Sequence, residues 1–153
     1  MASDRSQENV VVTNRKALHD YFIVDRFETG IVLKGTEVKS LRQGNANLQD
    51  GYAMIRNAEV WLIGLHINPF EKGNINNHDP KRDRKLLMHK QEIRRIFGKI
   101  SEKGLTLVPL RLYFKNNIVK LELGIAKGKK AYDKREAIAK RDIERQLRRD
   151  YAK

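Results

Sequence analysis

The stretch VPLRLYFKNNIVKLELGI, residues 108–125, decides the fold. Two apolar runs with a period of two flank Lys115-Asn116-Asn117, an arrangement typical of a tight turn between antiparallel strands. The alternating apolar side chains are Val108, Leu110, Leu112 and Phe114 before the turn and Val119, Leu121, Leu123 and Ile125 after it. The stretch therefore predicts a β-hairpin with these side chains in the core and Lys120 on the opposite, polar face.

Two segments nearer the N-terminus also have strand character. Residues 21–33 are dense in β-branched and aromatic side chains and predict one long strand, bent near Gly30. Residues 52–56 and 59–65 alternate on either side of Asn57-Ala58 and predict a second hairpin. The side chains expected on the core face of the long strand are Ile23, Phe27, Ile31 and Leu33.

Helical patterns interrupt the strands. A short helix is predicted over Thr36–Arg42, with Lys39 and Arg42 pointing outward. A longer helix is predicted to begin at Asp79-Pro80, after an irregular asparagine-rich loop at residues 68–80. Its apolar stripe is expected to contain Leu86, Lys90, Ile93, Phe97 and Ile100. Together these elements predict an α+β fold that is mainly β, with a partly open antiparallel barrel and flanking helices.

The net charge indicates a polyanionic partner. The 153-residue chain has 32 Lys and Arg residues against 19 Asp and Glu residues, a formal charge of +13. Nucleic acid and anionic membranes both attract such a chain. The sequence favours nucleic acid, because no apolar run approaches the roughly 20 residues of a bilayer span and no lipidation motif is present. With no cysteine, disulfides and thiolate metal sites are excluded, and we expect a cytoplasmic protein.

The charge is concentrated towards the C-terminus. We predict three regions: a flexible N-terminus at residues 1–10, an RNA-binding barrel with helices at 11–126, and a basic tail at 127–153. The tail contains eleven basic and five acidic residues, and its few apolar side chains are too sparse to hold it to a core. Glu136 with Lys140 and Glu144 with Arg148 have favourable helical spacing. We therefore expect a tail that is disordered when free and helical on its RNA target.

Several clusters are candidates for contact with RNA. The strongest is the tail segment 127–135, where five cations surround Tyr132 and a flexible glycine, a pattern suited to phosphates and one stacked base. The weaker clusters are Lys81, Arg82, Arg84 and Lys85, and Asn14, Arg15 and Lys16 with His19. A solvated charge run is the simpler alternative for each cluster.

Catalysis and metal binding have little support. His19, His66, His78 and His89 lack the spacing of a metal site, and neither a P-loop nor a dinucleotide-binding motif occurs. A ribonuclease that brings two histidines together in space remains an alternative, with His19 or His78 as the candidates. A general binder of structured RNA is a second alternative.

Specific strings in the sequence resemble the bacterial SmpB family of SsrA-binding proteins. They follow the family order from about Val11 to the end of the chain, with Leu18 and Met88 as visible departures. The strings are NRKA at 14–17, HDY at 19–21, ETGI at 28–31, LKGTEVKSLR at 33–42, DP at 79–80, RKLL at 84–87 and AKGKKAYDKR at 126–135.

The resemblance implies an oligonucleotide-binding (OB-fold) barrel that binds the tRNA-like domain of transfer-messenger RNA and helps to rescue stalled ribosomes by trans-translation. It implies an adaptor without catalytic activity, cofactor or metal, which we expect to be a monomer when free. It also implies that the tail enters the decoding centre and the empty mRNA channel of the ribosome. The family's RNA surface corresponds to Asn14, His19, Glu28, Leu87 and Lys120. To these we add Arg15, Lys16, Lys39, Arg42, Arg84 and Lys85. In the tail, the positions expected to contact the ribosome are Lys127, Gly128, Lys129, Lys130, Tyr132, Asp133, Lys134 and Arg135.

Overall fold

The computed structural model describes residues 8–70, 77–102 and 104–129. The described chain is mainly β-structure, with three short helices between the strands. The strands are β1 (Glu8–Thr13), β2 (Tyr21–Ile31), β3 (Ala46–Asn47), β4 (Tyr52–Arg56), β5 (Glu59–Ile63), β6 (His66–Ile67), β7 (Arg84–Leu87), β8 (Leu105–Lys115) and β9 (Ile118–Gly128). The helices are α1 (Arg15–Asp20), α2 (Gly35–Arg42) and α3 (Lys90–Ile100).

Seven strands form one antiparallel sheet in the order β1-β8-β9-β2-β7-β5-β4, and β3 pairs with β6. Both predicted hairpins are confirmed: β4 pairs with β5 and β8 pairs with β9. Each turn has two residues with positive φ, Asn57 and Ala58 in one and Asn116 and Asn117 in the other, as the twist of a two-residue hairpin requires. Because β4 also lies beside β8, the sheet curls into a partly open barrel and confirms the predicted fold class.

The longest strands change face along their length, which corrects the predicted core. The pairing of β8 with β9 shifts between Pro109 and Arg111, and that of β2 with β9 shifts between Ile23 and Asp25. One extra residue in a strand reverses the alternation of the side chains that follow it. Val108, Leu110 and Ile23 were predicted in the main core but pack instead against Ala17 of α1 and Ala126 on the outer side of the sheet.

The inner side of the barrel holds the main core. It contains the predicted side chains of β9 and those of β2 beyond the bulge, and α3 closes it with Ile93, Ile96 and Ile100. The buried strand residues include Phe27, Ile31, Val60, Leu62, Leu86, Leu112, Phe114, Leu121, Leu123 and Ile125.

The predicted long helix is wrong at its start. Residues 84–87 form β7 between β2 and β5, and the helix begins only at Lys90, where Glu92 accepts a hydrogen bond from the His89 amide. Leu86 reaches the core from a strand, so its spacing from Ile93 matches a helical period only by coincidence. Phe97 lies off the apolar stripe and is 60% exposed.

A buried ion cluster ties α2 to β7. The Glu37 carboxylate accepts hydrogen bonds from the Lys34 amide at 2.8 Å and from Arg84 Nε at 2.6 Å, and it pairs with Arg82. The remaining Arg84 donors reach the carbonyls of Leu65, Pro80 and Arg82. Glu37 and Arg84 are both fully buried, so the fold depends on each neutralising the other.

Replacing the carboxylate should destabilise the protein. Glu37→Gln leaves the guanidinium of Arg84 buried without a counter-charge, and we expect the free energy of unfolding to fall by about 3 to 5 kcal/mol. Urea unfolding measures the change. The control is Glu59→Gln, which breaks an exposed pair with Lys85 and should cost less than about 1 kcal/mol. Equal losses in the two variants would contradict this account.

The same cluster should make stability depend on pH. Burial by itself would raise the pKa of Glu37, but hydrogen bonds from Arg82 and the Lys34 amide and the charge of Arg84 lower the pKa below its ordinary value of 4.5. A lowered pKa in the folded state adds stability that is present above pH 4.5 and is lost as the pH falls through the lowered value. Urea unfolding across this acid range should show a steeper loss for the parent protein than for Glu37→Gln. Parallel curves would show that Glu37 is not the group responsible.

Candidate RNA interface

The outer side of the sheet carries a polar cluster around Glu28. The Tyr113 hydroxyl donates a hydrogen bond to Glu28 Oε2 at 2.6 Å, and Lys115 Nζ lies 3.4 Å from both carboxylate oxygens. Lys120 lies directly opposite Tyr113 on one side and Gly30 on the other. These side chains share one face because the bulge before Arg111 turns Tyr113 and Lys115 outward.

The electrostatics of the cluster keep Glu28 ionised. Burial would raise the pKa of Glu28, but the hydrogen bond from Tyr113 and the charge of Lys115 lower it. Burial and the neighbouring carboxylate raise the pKa of Tyr113, so its phenol stays protonated and donates. Tyr113 is only 1% exposed, whereas the Glu28 side chain is 38% exposed. The Glu28 carboxylate is therefore hydrogen-bonded to the buried Tyr113, and part of its surface is open to a ligand.

Leu87 lies beside this cluster on β7. It pairs with Gly30, and a side chain at residue 30 would place its Cβ 3.1 Å from that of Leu87. Leu87 is half exposed at the surface. The sheet therefore brings together three of the sequence-predicted positions, Glu28, Leu87 and Lys120, around one glycine.

An ion ladder that was not predicted from the sequence crosses the same face. Glu122 on β9 pairs with Arg26 on β2 at 2.8 Å and with Arg111 on β8 at 3.2 Å, and Arg111 reaches Glu8 on β1 at 3.1 Å. The sequence does place charges of both signs at outward positions of these strands. Which of them pair can be told only once the strand register is known. The ladder pairs its own charges and so leaves Lys120 and Lys115 as the cations beside Glu28.

Helix α1 adds exposed cations on this side of the sheet. Its Ala17 packs on Val108 and Leu110, which places the helix over the outer face. Arg15, Lys16 and His19 are exposed, and His19 Nδ1 lies 3.0 Å from Asp20 Oδ1.

Asn14 requires a correction. It is 4% exposed and caps α1 by accepting from the Ala17 amide at 3.1 Å, while its Nδ2 donates to the carbonyls of Pro109 and Leu48. The Asn14 side chain therefore positions α1 and is not open to RNA in this conformation.

Other predicted contacts take no part in the cluster around Glu28, although Lys85 shares the outer face with Leu87, two residues away on β7. Arg84 requires the same correction, because it is fully buried with all its donors engaged. Lys85 lies one residue further along β7, half buried, and pairs with Glu59 at 2.9 Å. Arg42 lies over the ring of Phe114, an inner-face residue, and Lys39 lies over Phe70, so neither belongs to the cluster around Glu28.

The described chain ends where the tail begins. Lys127 and Gly128 are the last residues of β9, and Lys129 Nζ lies 5.1 Å from the centre of the Phe22 ring. Lys130, Tyr132, Asp133, Lys134 and Arg135 lie outside the described residues.

Of the two histidines considered for catalysis, His78 has both ring nitrogens within hydrogen-bond distance of other groups. His78 is buried, and its ring nitrogens lie 2.9 Å from the Ile67 carbonyl and 2.9 Å from Thr36 Oγ1, so they serve to hold a loop. Among residues 8–70, 77–102 and 104–129, no group of three or more acidic or histidine side chains is arranged to hold a metal ion. In the same part of the chain, no helix is long and apolar enough to cross a membrane.

The chain is similar to known proteins over most of its length. A family model described as SmpB protein matches residues 11–153. The SsrA-binding protein of Carboxydothermus hydrogenoformans is 63% identical over 140 residues, covering 92% of this chain and 94% of the relative. The SsrA-binding protein of Desulforudis audaxviator is 60% identical over 145 residues, covering 95% of each chain.

A solved structure is also similar. A chain in the structure described as "tmRNA-SmpB: a journey to the center of the bacterial ribosome" is 51% identical, with a TM-score of 0.66, and the match covers 77% of this chain and 83% of that one. The family match extends over nearly the whole sequence, and the similar relatives are matched over almost their full length. This chain belongs to the SmpB protein family.

Proposed function

We propose that this protein binds the tRNA-like domain of transfer-messenger RNA and delivers it to stalled ribosomes for trans-translation. The observation that carries the proposal is the outer face on which Glu28, Leu87 and Lys120 meet around Gly30, in a chain whose relatives are SsrA-binding proteins. The structural neighbour, described as tmRNA-SmpB in the bacterial ribosome, supports both partners. The protein acts as an adaptor and the ribosome supplies the chemistry, which puts the site of action in the cytoplasm.

The three side chains offer complementary contacts. Lys120 and the exposed cations of α1 suit phosphates, which position an RNA without selecting its sequence. Glu28 repels phosphate, but its ionised carboxylate accepts hydrogen bonds from base amino groups or ribose hydroxyls. Leu87 adds an exposed apolar surface for a base or a sugar. A mixed face of this kind fits a folded RNA better than a uniform duplex.

The proposed division of labour separates the barrel from the tail. The barrel, predicted over residues 11–126, selects the RNA, and the tail, predicted over 127–153, probes the decoding centre and the empty mRNA channel. The boundary is better placed a little later, because β9 continues to Gly128 and pairs Lys127 and Gly128 with Phe22 and Tyr21. A truncation that spares β9 is therefore the appropriate test of the tail.

Removal of Lys120 should weaken RNA binding. For Lys120→Ala we expect a lower affinity for the tRNA-like domain and a salt dependence reduced by about 0.7 to 0.9 in log–log slope, the value of one lost phosphate contact. The control is Arg42→Ala, which removes one charge from the other side of β8. Filter binding at several salt concentrations measures both variants, with bulk tRNA as competitor. Equal losses would contradict the assignment of the outer face, and equal binding of bulk tRNA would favour a general RNA-binding protein.

Truncation after Lys129 should separate binding from rescue. We expect the shortened protein to keep most of its affinity for the tRNA-like domain, because the outer face and the last strand remain intact. Tagging of stalled nascent chains in a reconstituted translation system should be lost. Tagging at the level of the full chain would show that the tail has no part in rescue.

A further inference from the structure

A groove lies between the β4–β5 turn, the end of β7 and the start of α3. Its volume is about 320 Å³, near the lower end of the range of about 300 to 1,000 Å³ that small-ligand pockets occupy. The lining residues used below are Asn57, Lys85, Leu87, Met88, Lys90 and Ile93.

The groove combines an apolar floor with a cationic rim. Met88 and Ile93 are half buried and pack against the main core, so their surfaces form a fixed floor. Lys85 and Lys90 stand at the rim together with Glu59, so two cations face one carboxylate and the lining keeps a net positive charge. Asn57 adds an amide from the turn. Lys90 is exposed and makes no ion pair within the part of the chain that the structure describes. Lys85 pairs with Glu59 at the surface, where such a pair is weak and can exchange for another anion.

The groove is continuous with the candidate RNA interface. Leu87 belongs to both, since it covers Gly30 on the outer face and lines the groove. An RNA lying on Glu28 and Lys120 would therefore reach the groove without leaving the surface. An added peptide strand has no place here, because β7 is already paired with β2 on one side and with β5 on the other.

We propose that this groove binds a single unstacked base of the partner RNA, with Lys90 contacting the phosphate next to that base. The proposal deepens the proposed function and rests on it. The volume suits one planar group, and the aliphatic side chains of Leu87, Met88 and Ile93 offer the apolar surface that an extruded base requires. The positive rim complements the adjoining backbone, and bases splayed from loops are the usual target of specific RNA recognition. None of the predicted RNA contacts included Lys90.

Two matched variants test the proposal. Lys90→Ala removes the groove cation, and Arg94→Ala removes an exposed cation of the same helix that does not line the groove. With the full chain and the tRNA-like domain of transfer-messenger RNA, we expect Lys90→Ala to weaken binding roughly fivefold and to lower the log–log salt slope by about 0.7 to 0.9. Arg94→Ala should leave both values near those of the parent protein. Thermal melting confirms that both variants are folded.

Photocrosslinking locates the base. A benzophenone amino acid in place of Lys90 should crosslink to one or two nucleotides in a loop of the RNA, and the same group in place of Arg94 should give no such product. Equal affinities for the two alanine variants, or crosslinks spread over duplex nucleotides, would overturn the groove assignment. Failure of the parent protein to bind the tRNA-like domain would instead overturn the proposed function, so the two outcomes are distinguishable.

Discussion

The arrangement of the outer face depends on one constraint, the change of register within the long strands. Between Pro109 and Arg111, and again between Ile23 and Asp25, one strand has an extra residue and its side chains reverse sides. On one side of these shifts, Val108, Leu110 and Ile23 are covered by α1. On the other side, Lys115 and Glu28 lie on the outer face beside Lys120, and the buried Tyr113 donates its hydroxyl to Glu28. The bulges thus allow the same strands to pack against α1 along one part of their length and to carry a polar face along the other.

The second constraint is the buried carboxylate of Glu37. It accepts a hydrogen bond from the Lys34 amide at the start of α2 and neutralises Arg84. The Arg84 guanidinium in turn donates hydrogen bonds to the carbonyls of Leu65 and Pro80. Arg84 begins β7, and the same short strand ends at Leu87. The ion cluster therefore anchors the strand that places Leu87 beside Gly30. The same strand forms one wall of the groove beside α3. Glu37 is itself fully buried, yet it holds the strand that carries Leu87 to the outer face.

The net positive charge of the chain does not describe the charges on the outer face. The excess of cations accounts for attraction to a polyanion over distance, but the face itself contains paired charges, with Glu122 between Arg26 and Arg111. Ordered pairs hold the strands' polar side chains in place and leave few cations to reach phosphate. The carboxylate of Glu28, held by Tyr113, gives this face a hydrogen-bond acceptor that a uniformly basic surface would lack.

The sequence by itself determined the class of the protein: a mainly β fold with two hairpins, a basic tail, a polyanionic partner and the resemblance to SmpB. Those features are local or additive, since period-two patterns, Asn turns and net charge need no knowledge of neighbours. It did not determine that residues 84–87 form a strand, that Arg84 and Asn14 are buried, or that Leu110 leaves the main core. Those outcomes depend on strand register and on partners distant in sequence, such as Glu37 for Arg84 and Leu48 for Asn14. Only the tertiary structure decided them, because a side chain's face and its counter-charge are set by what the fold places opposite it.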